Sequence, residues 1–543
     1  MENFPYMILW GAFLTIGHFH FGFLVNSLNV LWSFTPCIYG FPEEDTRLID
    51  AIAFVIFPAT AVIGGAISWK LSRYGKRKAL IVSSLISLIG SGLTFIQSHY
   101  FMIVGRAVLG IGFGVTNAVS PLFLYEISRK KNEKSNLPKL EHLIVSIQFW
   151  IILGYAIPSI LELYIRDQIT DATHMSVSGQ FQDYEFSRNS FCEAIEGTHI
   201  IWREMYAVAA IVTVIKLLAL LLIFRKENPN YVQHCEQKSL SLSSKEAEPK
   251  FMSSGINNSV ESQQSTQCEE SLLEQDTWSR LCTVRERRKL LACFVMRGFN
   301  QLTGLDIVIN YGNHFIFSLS APSLSLGFFL VTIGIFFPLI AMFFLLKFGR
   351  KTLFMIAMIL MCFNCCILFQ LAEKLTIWQA QVPIFESFPN FGSSIFIVMY
   401  MLTSYMTLLS TPMLYSCETL SDKGMAVITM IHWSIITVIS LIPSIAMIVV
   451  ERLGNRVQFR MGNAIYFFIF SGTAILGFFF TYMFVKETKD KTKEEIDQEF
   501  DTPLFELDSE KLYRSVRDIE RRKSSLEWKL SLCREAKNTG ING

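Results

Sequence analysis

The chain has 543 residues, of which 51% are hydrophobic and only 17% charged, with 47 phenylalanines and a mean hydropathy of +0.38. One water-soluble core stops growing near ~250–300 residues, so this apolar load excludes a soluble enzyme and calls for a bilayer. A net charge of +2 is too even for a nucleic-acid partner, and the 11 cysteines, mostly in apolar runs or charged segments, form no disulfide scaffold.

A membrane-spanning helix needs ~20 apolar residues. In chain order, twelve stretches qualify: about 7–31, 51–69, 79–97, 101–125, 143–164, 203–224, 290–318, 324–346, 353–372, 393–416, 426–449 and 463–485. The first begins by Met7 with no basic region and cleavage site, and reads as an anchoring helix. Charge gathers in two places: residues 225–289 carry 10 basic and 10 acidic side chains, and residues 486–543 carry 13 and 14. The expected organisation is therefore a six-helix bundle over 1–224, a cytoplasmic linker over 225–289, a second six-helix bundle over 290–485 and a cytoplasmic tail over 486–543.

The linker is rich in Ser, Glu and Gln from Gln237 to Glu274 and reads as mobile. From Trp278 to Leu291 basic and apolar residues alternate at helical spacing, which fits a short surface helix or a solvated charged run. The tail has helical patterning near Leu512–Leu532. Linker and tail are the places where a cytoplasmic partner would bind. Loops 70–78, 126–142, 347–352 and 417–425 hold 14 basic residues against 8 in the alternate loops. That bias places both termini in the cytoplasm. Cys37 and Cys192 then both face outside, where a bridge between them is open.

The two halves of the chain echo each other. Arg73-Tyr74-Gly75-Lys76-Arg77-Lys78 follows the second span, and Lys347-Phe348-Gly349-Arg350-Lys351-Thr352 follows the eighth. The fourth and tenth spans end in Pro121-x4-Glu126 and Pro412-x5-Glu418; the sixth and twelfth end in Lys226-Glu227 and Lys486-Glu487. Ordered repeats of six spans are the mark of a carrier that rocks about a central site. Acids at some helix ends and bases at neighbouring ends can pair in one state and part in the other.

Several motifs then point further. Gly105-Arg106-x3-Gly110-x3-Gly114 with Pro121 to Glu126 resembles the fourth helix of the sugar porters. Gly298-Phe299-Asn300-Gln301-x2-Gly304-x-Asp306 with Asn310-Tyr311 resembles their seventh. Glu227-x-Pro229-x-Tyr231 and Val485-Lys486-Glu487-Thr488 resemble the segments after the sixth and twelfth, and Gly17-x4-Gly22 fits the first. The ordered set covers about residues 11–497 and resembles the facilitative glucose transporters of the major facilitator superfamily, as a divergent member. The resemblance implies an all-α membrane protein with twelve transmembrane helices in two pseudo-symmetric six-helix bundles, with a sugar site at the midplane and a plasma-membrane location.

The departures fall on the site. Family members present two glutamines on the seventh helix; this chain has Asn300 and Gln301. A following asparagine is Asp306 here, the eighth-helix asparagine falls at Gly334, and the tenth-helix tryptophan falls at Met413. The fifth-helix glutamine is Gln148, or Glu141 in an ungapped alignment; Gln148 is preferred because the apolar run continues beyond it.

Amides donate and accept at once and aromatics cover a sugar's ring face, so Gln148, Asn300, Gln301, Asn310, Tyr311 and Trp433 suit a hexose, with Asp306 and Met413 beside them. An isolated amide serves as well in a helix–helix hydrogen bond, and His18 and His20 read as packing residues. Arg73, Arg77, Arg106, Glu126, Glu227, Arg350, Glu418 and Glu487 are the expected cytoplasmic gate. No metal or cofactor is implied. The first helix has no acid after Glu2, which favours uniport of a hexose or similar polyol over proton symport. A non-sugar solute remains open, with Asp306 disfavouring anions, as does a non-transporting nutrient sensor.

Overall fold

A computed structural model describes residues 11–31, 46–96, 98–132, 144–173, 199–222, 281, 283–305, 337–379, 396, 399–404, 408, 410–453 and 456–502. All the regular structure among them is helical. In chain order the helices are α1 (Phe19–Leu31, entered through a 3-10 turn at Ile16–His18), α2 (Thr46–Arg73), α3 (Lys76–Thr94), α4 (His99–Asn132), α5 (Ser146–Thr173) and α6 (His199–Leu222). The second half comprises α7 (Val284–Leu302), α8 (Phe337–Lys347), α9 (Arg350–Gln379), α10 (Ser410–Thr419), α11 (Asp422–Leu453) and α12 (Arg456–Phe484), and a short helix α13 (Lys493–Asp501) follows. Among the described residues six helices are long and apolar enough to cross a membrane.

Each expected span carries a helix, and the two halves repeat one another in space. In the first half α4 lies against both α2 and α3, α1 lies on α5, and α6 lies on α3. In the second half α9 lies on α12, the equivalent of α3 on α6. The halves meet mainly where α11 runs along α2, with α10 and α11 also touching α4. Large apolar side chains such as Ile89, Phe363 and Phe468 are exposed on the outer helix faces, as a lipid-facing surface requires.

Close backbone approach holds the first half together. A Cβ added at Gly22 in α1 would sit 1.9 Å from the Ile151 carbonyl oxygen of α5, and one at Gly154 would sit 2.3 Å from the Phe19 carbonyl oxygen. Only glycine permits the two helices this contact, and small residues are the usual means of packing helices where lipid supplies no hydrophobic drive.

Helix α7 departs from expectation at both ends. The charged stretch after Trp278 does not form a surface helix of its own from Val284 onward: Thr283 caps α7, and Arg285, Arg288 and Lys289 occupy its first turns. Helix α13 holds them there. Arg285 pairs with Asp501 at 2.6 Å, Lys289 pairs with Asp497 at 2.7 Å, and Arg288 Nη1 donates to the carbonyls of Phe500, Asp501 and Thr502. Those are the carbonyls a helix C-terminus leaves without internal partners. The hydrogen bond from Arg285 holds the Asp501 carboxyl below its usual range, so this contact is complete above the unfolded carboxylate's pKa of about 4 and weakens only as pH falls below it.

Toward its far end α7 is interrupted after Leu302, and residues 306–318 of the expected span lie outside the described residues. Gly304 takes φ 83°, a left-handed conformation that favours glycine. The carbonyls released there are taken by Thr303 Oγ1 (to Asn300, 2.6 Å), Thr473 Oγ1 (to Leu302, 2.8 Å) and Tyr400 Oη (to Thr303, 2.9 Å). The linker core, Cys37, Cys192 and Leu512–Leu532 lie outside the described residues.

Two substitutions test this packing. Gly154→Ala forces a methyl onto a backbone carbonyl and is expected to destabilise the protein by ~1–3 kcal/mol, read as a lower unfolding temperature in detergent. Gly92→Ala, where a Cβ meets nothing within 4 Å, is expected to leave that temperature unchanged or raise it. For α13, Thr492 and Glu495 form a reciprocal cap, so Thr492→Ala is expected to cost about 1 kcal/mol, seen as faster amide exchange confined to residues 493–501.

Candidate functional site

The centre of the molecule is an aromatic contact between the halves. Trp433 of α11, eleven residues or about 16 Å from the start of its helix, is buried against Phe21 of α1, Phe57 of α2 and Phe113 of α4 at ring distances of 5.5, 6.1 and 5.5 Å. Its indole Nε1 is buried without a hydrogen-bond partner. His432 packs edge-on against it at 5.4 Å, and its Nδ1 also lacks a partner. Trp433 therefore faces the other half and not lipid.

Asn300 and Gln301 lie on α7, each 3% exposed, and the carbonyl oxygens Asn300 Oδ1 and Gln301 Oε1 accept no hydrogen bond. Arg297 precedes them by three and four positions, which puts all three on one helix face. Arg297 is itself 3% exposed. Its Nη2 donates to Met413 Sδ of α10 at 2.5 Å, and its Nη1 has no partner. Thus Met413 and the amide pair come together around an arginine that the sequence reading passed over. The signal was present in the i, i+3, i+4 spacing of Arg297, Asn300 and Gln301.

Gln148 is buried in α5, where Ser146 bonds Thr15 at 2.8 Å and Trp150 Nε1 donates to the Ala12 carbonyl. It sits at the contact of α5 with the first helix. Asp306, Asn310, Tyr311, Gly334 and Glu141 lie outside the described residues.

A second buried cation stands in the first half. Lys216 of α6 is 2% exposed and donates to Thr116 Oγ1 of α4 at 2.9 Å. It passes over Gly17, where a Cβ would come within 2.6 Å of Nζ. His18, in the same 3-10 turn, has its Nε2 buried without a partner. His20, by contrast, bonds the Ala209 carbonyl at 2.9 Å and Thr213 Oγ1 at 2.6 Å, tying α1 to α6 as a packing residue.

The basic loops converge at one end of the bundles, here called the basic face. In the second half Arg350 and Glu418 form a pair at 2.8 Å, 2% and 4% exposed. Thr488 Oγ1 donates to the second oxygen of Glu418 at 2.5 Å. Glu487 accepts from the backbone amides of Arg350, Lys351, Thr488 and Lys489 at 2.8–3.2 Å. It fits only because residue 349 is glycine, since a Cβ there would lie 2.1 Å from its Oε2.

In the first half the corresponding residue after the loop glycine is Lys76, which pairs with Glu126. Lys76 also reaches Asp422 at the start of α11, at 2.9 Å, joining the halves. Beside it, Trp69 of α2 receives Lys70, Arg73 and Lys423 over its ring at 5.8, 5.7 and 5.7 Å, and Lys423 comes from the other half. Arg77 takes a different place, donating to the Leu220 and Leu221 carbonyls at the end of α6. Glu227 is outside the described residues.

Arg106 does not join this cluster. It lies twenty residues, about 30 Å, from Glu126 along α4, toward the opposite face. Its Nε donates to the Ala53 carbonyl at 2.9 Å and its Nη1 to the Leu24 carbonyl at 3.0 Å, so it fastens α1, α2 and α4 together. A motif match gave it the gate's chemistry without the gate's position.

The two kinds of tie differ in strength. Removing one partner from a buried pair such as Arg350–Glu418 costs ~3–5 kcal/mol, because the other charge is left alone. The inter-half contacts of Asp422, 40% exposed, and Lys423 are of the class worth ~0.2–1 kcal/mol. At this face the tie of Arg350 to Glu418 within the second half is therefore stronger than the polar ties between the halves.

Comparisons with known proteins agree with this architecture. The family model described as "Sugar (and other) transporter" matches residues 13–500. Hexose transporter 1 of Plasmodium vivax (strain Brazil I) is 22% identical over 499 residues, covering 87% of this chain and 88% of that protein. Facilitated glucose transporter protein 1 of Caenorhabditis elegans is 22% identical over 519 residues, covering 90% and 89%. Among solved structures, the major facilitator superfamily proton:xylose symporter XylE bound to 6-bromo-6-deoxy-D-glucose superposes with a TM-score of 0.63 at 18% identity, covering 92% of this chain and all of that one. A partially occluded inward-open form of the xylose transporter XylE from E. coli gives 0.58 at 17%, covering 90% and all of it. The two six-helix halves, their central contact and the match over residues 13–500 lead to one conclusion: this chain is a multi-pass membrane transporter, not an enzyme, has the major facilitator fold and belongs to the sugar (and other) transporter family.

Proposed function

We propose that the protein carries a hexose or similar small polyol by facilitated uniport, through alternating access to the space between its halves. The observation that carries this reading is the pair of buried, unbonded amide oxygens Asn300 Oδ1 and Gln301 Oε1 near the midplane, with the Trp433 indole N–H buried and unbonded as well. A buried polar group without a partner is costly, and sugar hydroxyls supply donors and acceptors to such groups. Each neutral hydrogen bond contributes about 0.5–1.5 kcal/mol net, which suits a carrier that must also release its cargo. The similar hexose transporters support the same substrate class.

In this reading the basic face is the cytoplasmic one, both termini are cytoplasmic and the plasma membrane is the location. Lys76, Glu126, Asp422, Trp69 and Lys423 are its gate. Uniport is favoured because residues 11–31 contain no carboxylate to carry a proton. A second reading, proton-coupled symport, is favoured by one observation: the imidazole of His18 is buried with its Nε2 unpartnered.

Uptake of labelled glucose and fructose into proteoliposomes, with and without a proton gradient, tests the reading. Saturable uptake indifferent to the gradient is expected; accumulation driven by the gradient would establish the symport reading instead. No uptake of either sugar, from protein shown to be folded, would overturn the transport of hexoses. The gate makes a separate prediction. Glu418→Gln strands Arg350 and is expected to lower the unfolding temperature as well as transport. Asp422→Asn removes only the latch, leaves the unfolding temperature nearly unchanged, and alters uptake by no more than about fivefold, the equivalent of ~1 kcal/mol.

A further inference from the structure

The buried bases Arg297 and Lys216 at the centre go beyond what a neutral sugar requires. We propose that the central site is built for a solute bearing one negative charge, a carboxylate on a polyol frame such as a hexuronate, held by Arg297 with Lys216 beside the path. Its role as a transport site rests on the carrier reading above.

Three observations converge. First, Arg297 stays charged at any physiological pH, and a guanidinium offers five donors in a fixed fork. Of its terminal nitrogens, Nη2 meets only a thioether, a weak acceptor, and Nη1 meets nothing. Among the described residues, which do not include Asp306, neither Arg297 nor Lys216 has a carboxylate in ion-pair contact, and an anion at Arg297 is the alternative to the exclusion that Asp306 suggested.

Second, the same protein shows how it compensates its other buried bases. Arg350 has Glu418, Lys76 has Glu126 and Asp422, and Arg106 has two carbonyls. Arg297 and Lys216 break that pattern, and they do so at the centre.

Third, the cations are joined by groups that remain open. His18 lies within electrostatic reach of both Lys216 and Arg297, and His432 within reach of Arg297. One ring nitrogen of each histidine is unbonded, as is the Trp433 indole. Around the guanidinium the Trp433 indole N–H is a further open donor, with Asn300 Oδ1, Gln301 Oε1 and His18 Nε2, whose Nδ1–H is spent on the Thr15 carbonyl, as acceptors. A carboxylate completes the fork of Arg297 in a bidentate, charge-assisted contact. Hydroxyls of the same molecule can satisfy the two amide oxygens. A neutral hexose would fill the second need and leave the first unmet.

The test uses the full-length protein with D-glucuronate and D-glucose as probes, in two arms. In the binding arm, glucuronate is expected to raise the unfolding temperature of the purified protein at concentrations at least tenfold below those at which glucose does. In the flux arm, labelled glucuronate is expected to enter proteoliposomes saturably, and unlabelled glucuronate to compete with glucose uptake.

Arg297→Gln is expected to reduce the ratio of glucuronate to glucose affinity tenfold or more, with Arg297→Lys recovering part of it. Lys216→Gln is expected to lower the same ratio if Arg297→Gln does not fold. Binding of glucuronate without flux would sustain the anion site and sink the carrier reading. Glucose uptake with no glucuronate binding would overturn the anion site and leave that reading intact. Equal affinities for the two probes, in the wild type and in whichever variant folds, would also overturn it.

Discussion

Hydrocarbon offers a polar group nothing to bond to, and the arrangement of this protein follows from that constraint. A base inside the bundles is costly unless it finds an acceptor. Arg106 finds two backbone carbonyls on neighbouring helices, and in doing so becomes a rivet among α1, α2 and α4. The freed carbonyls past the end of α7 are taken by Thr303, Thr473 and Tyr400, so the break at Gly304 is tolerated at depth. Against that background the orphaned groups stand out. Arg297 Nη1, Asn300 Oδ1, Gln301 Oε1 and Trp433 Nε1 mark where the chain leaves bonds for something else to make.

The same constraint produces the mechanics. A buried pair cannot be opened cheaply, so Arg350 and Glu418 keep the loops of the second half together through any motion. The Gly22–Gly154 contact welds α1 to α5 in the first half, because two backbones at van der Waals distance have no slack. Of the polar contacts between the halves, Lys76 with Asp422 and Trp69 with Lys423 lie at the basic face, where water reaches the Asp422 carboxylate. A carrier needs two stiff bodies and a weak latch, and the burial of each charge decides which role it takes.

Much of this was legible in the sequence. The spans follow from hydropathy averaged over twenty residues, and the repeat of Gly-basic loops and terminal acids located Glu126, Arg350, Glu418 and Glu487 at one face. What an average hides is rotation about each helix axis. Whether Arg73, Lys76 or Arg77 meets Glu126 depends on that rotation. It falls to Lys76, the position equivalent to Arg350, while Arg77 turns to the end of α6. Motif matching misled for Arg106, since a motif carries residue types and not depth. Arg297 went unread for a related reason: one charge in an apolar window scarcely moves its hydropathy, although its spacing to Asn300 and Gln301 places it on their face.

The two halves also show why a repeat is not a copy. In the second half the base after the loop glycine, Arg350, spends all its partners within its own half: Glu418, itself held by Thr488, and the carboxylate of Glu487 on its backbone amide. In the first half Lys76 shares its ammonium between Glu126 and Asp422, so part of its compensation comes from across the interface. A lysine suits this position, because its compact charge on a flexible stem can swing between two carboxylates, whereas a guanidinium's planar fork commits to one geometry. When the halves part, Lys76 loses Asp422 but keeps Glu126, so no charge is left buried and alone. The base shared between the halves is the one provided with a second acid, and on the proposed reading that difference between the repeats makes the gate reversible.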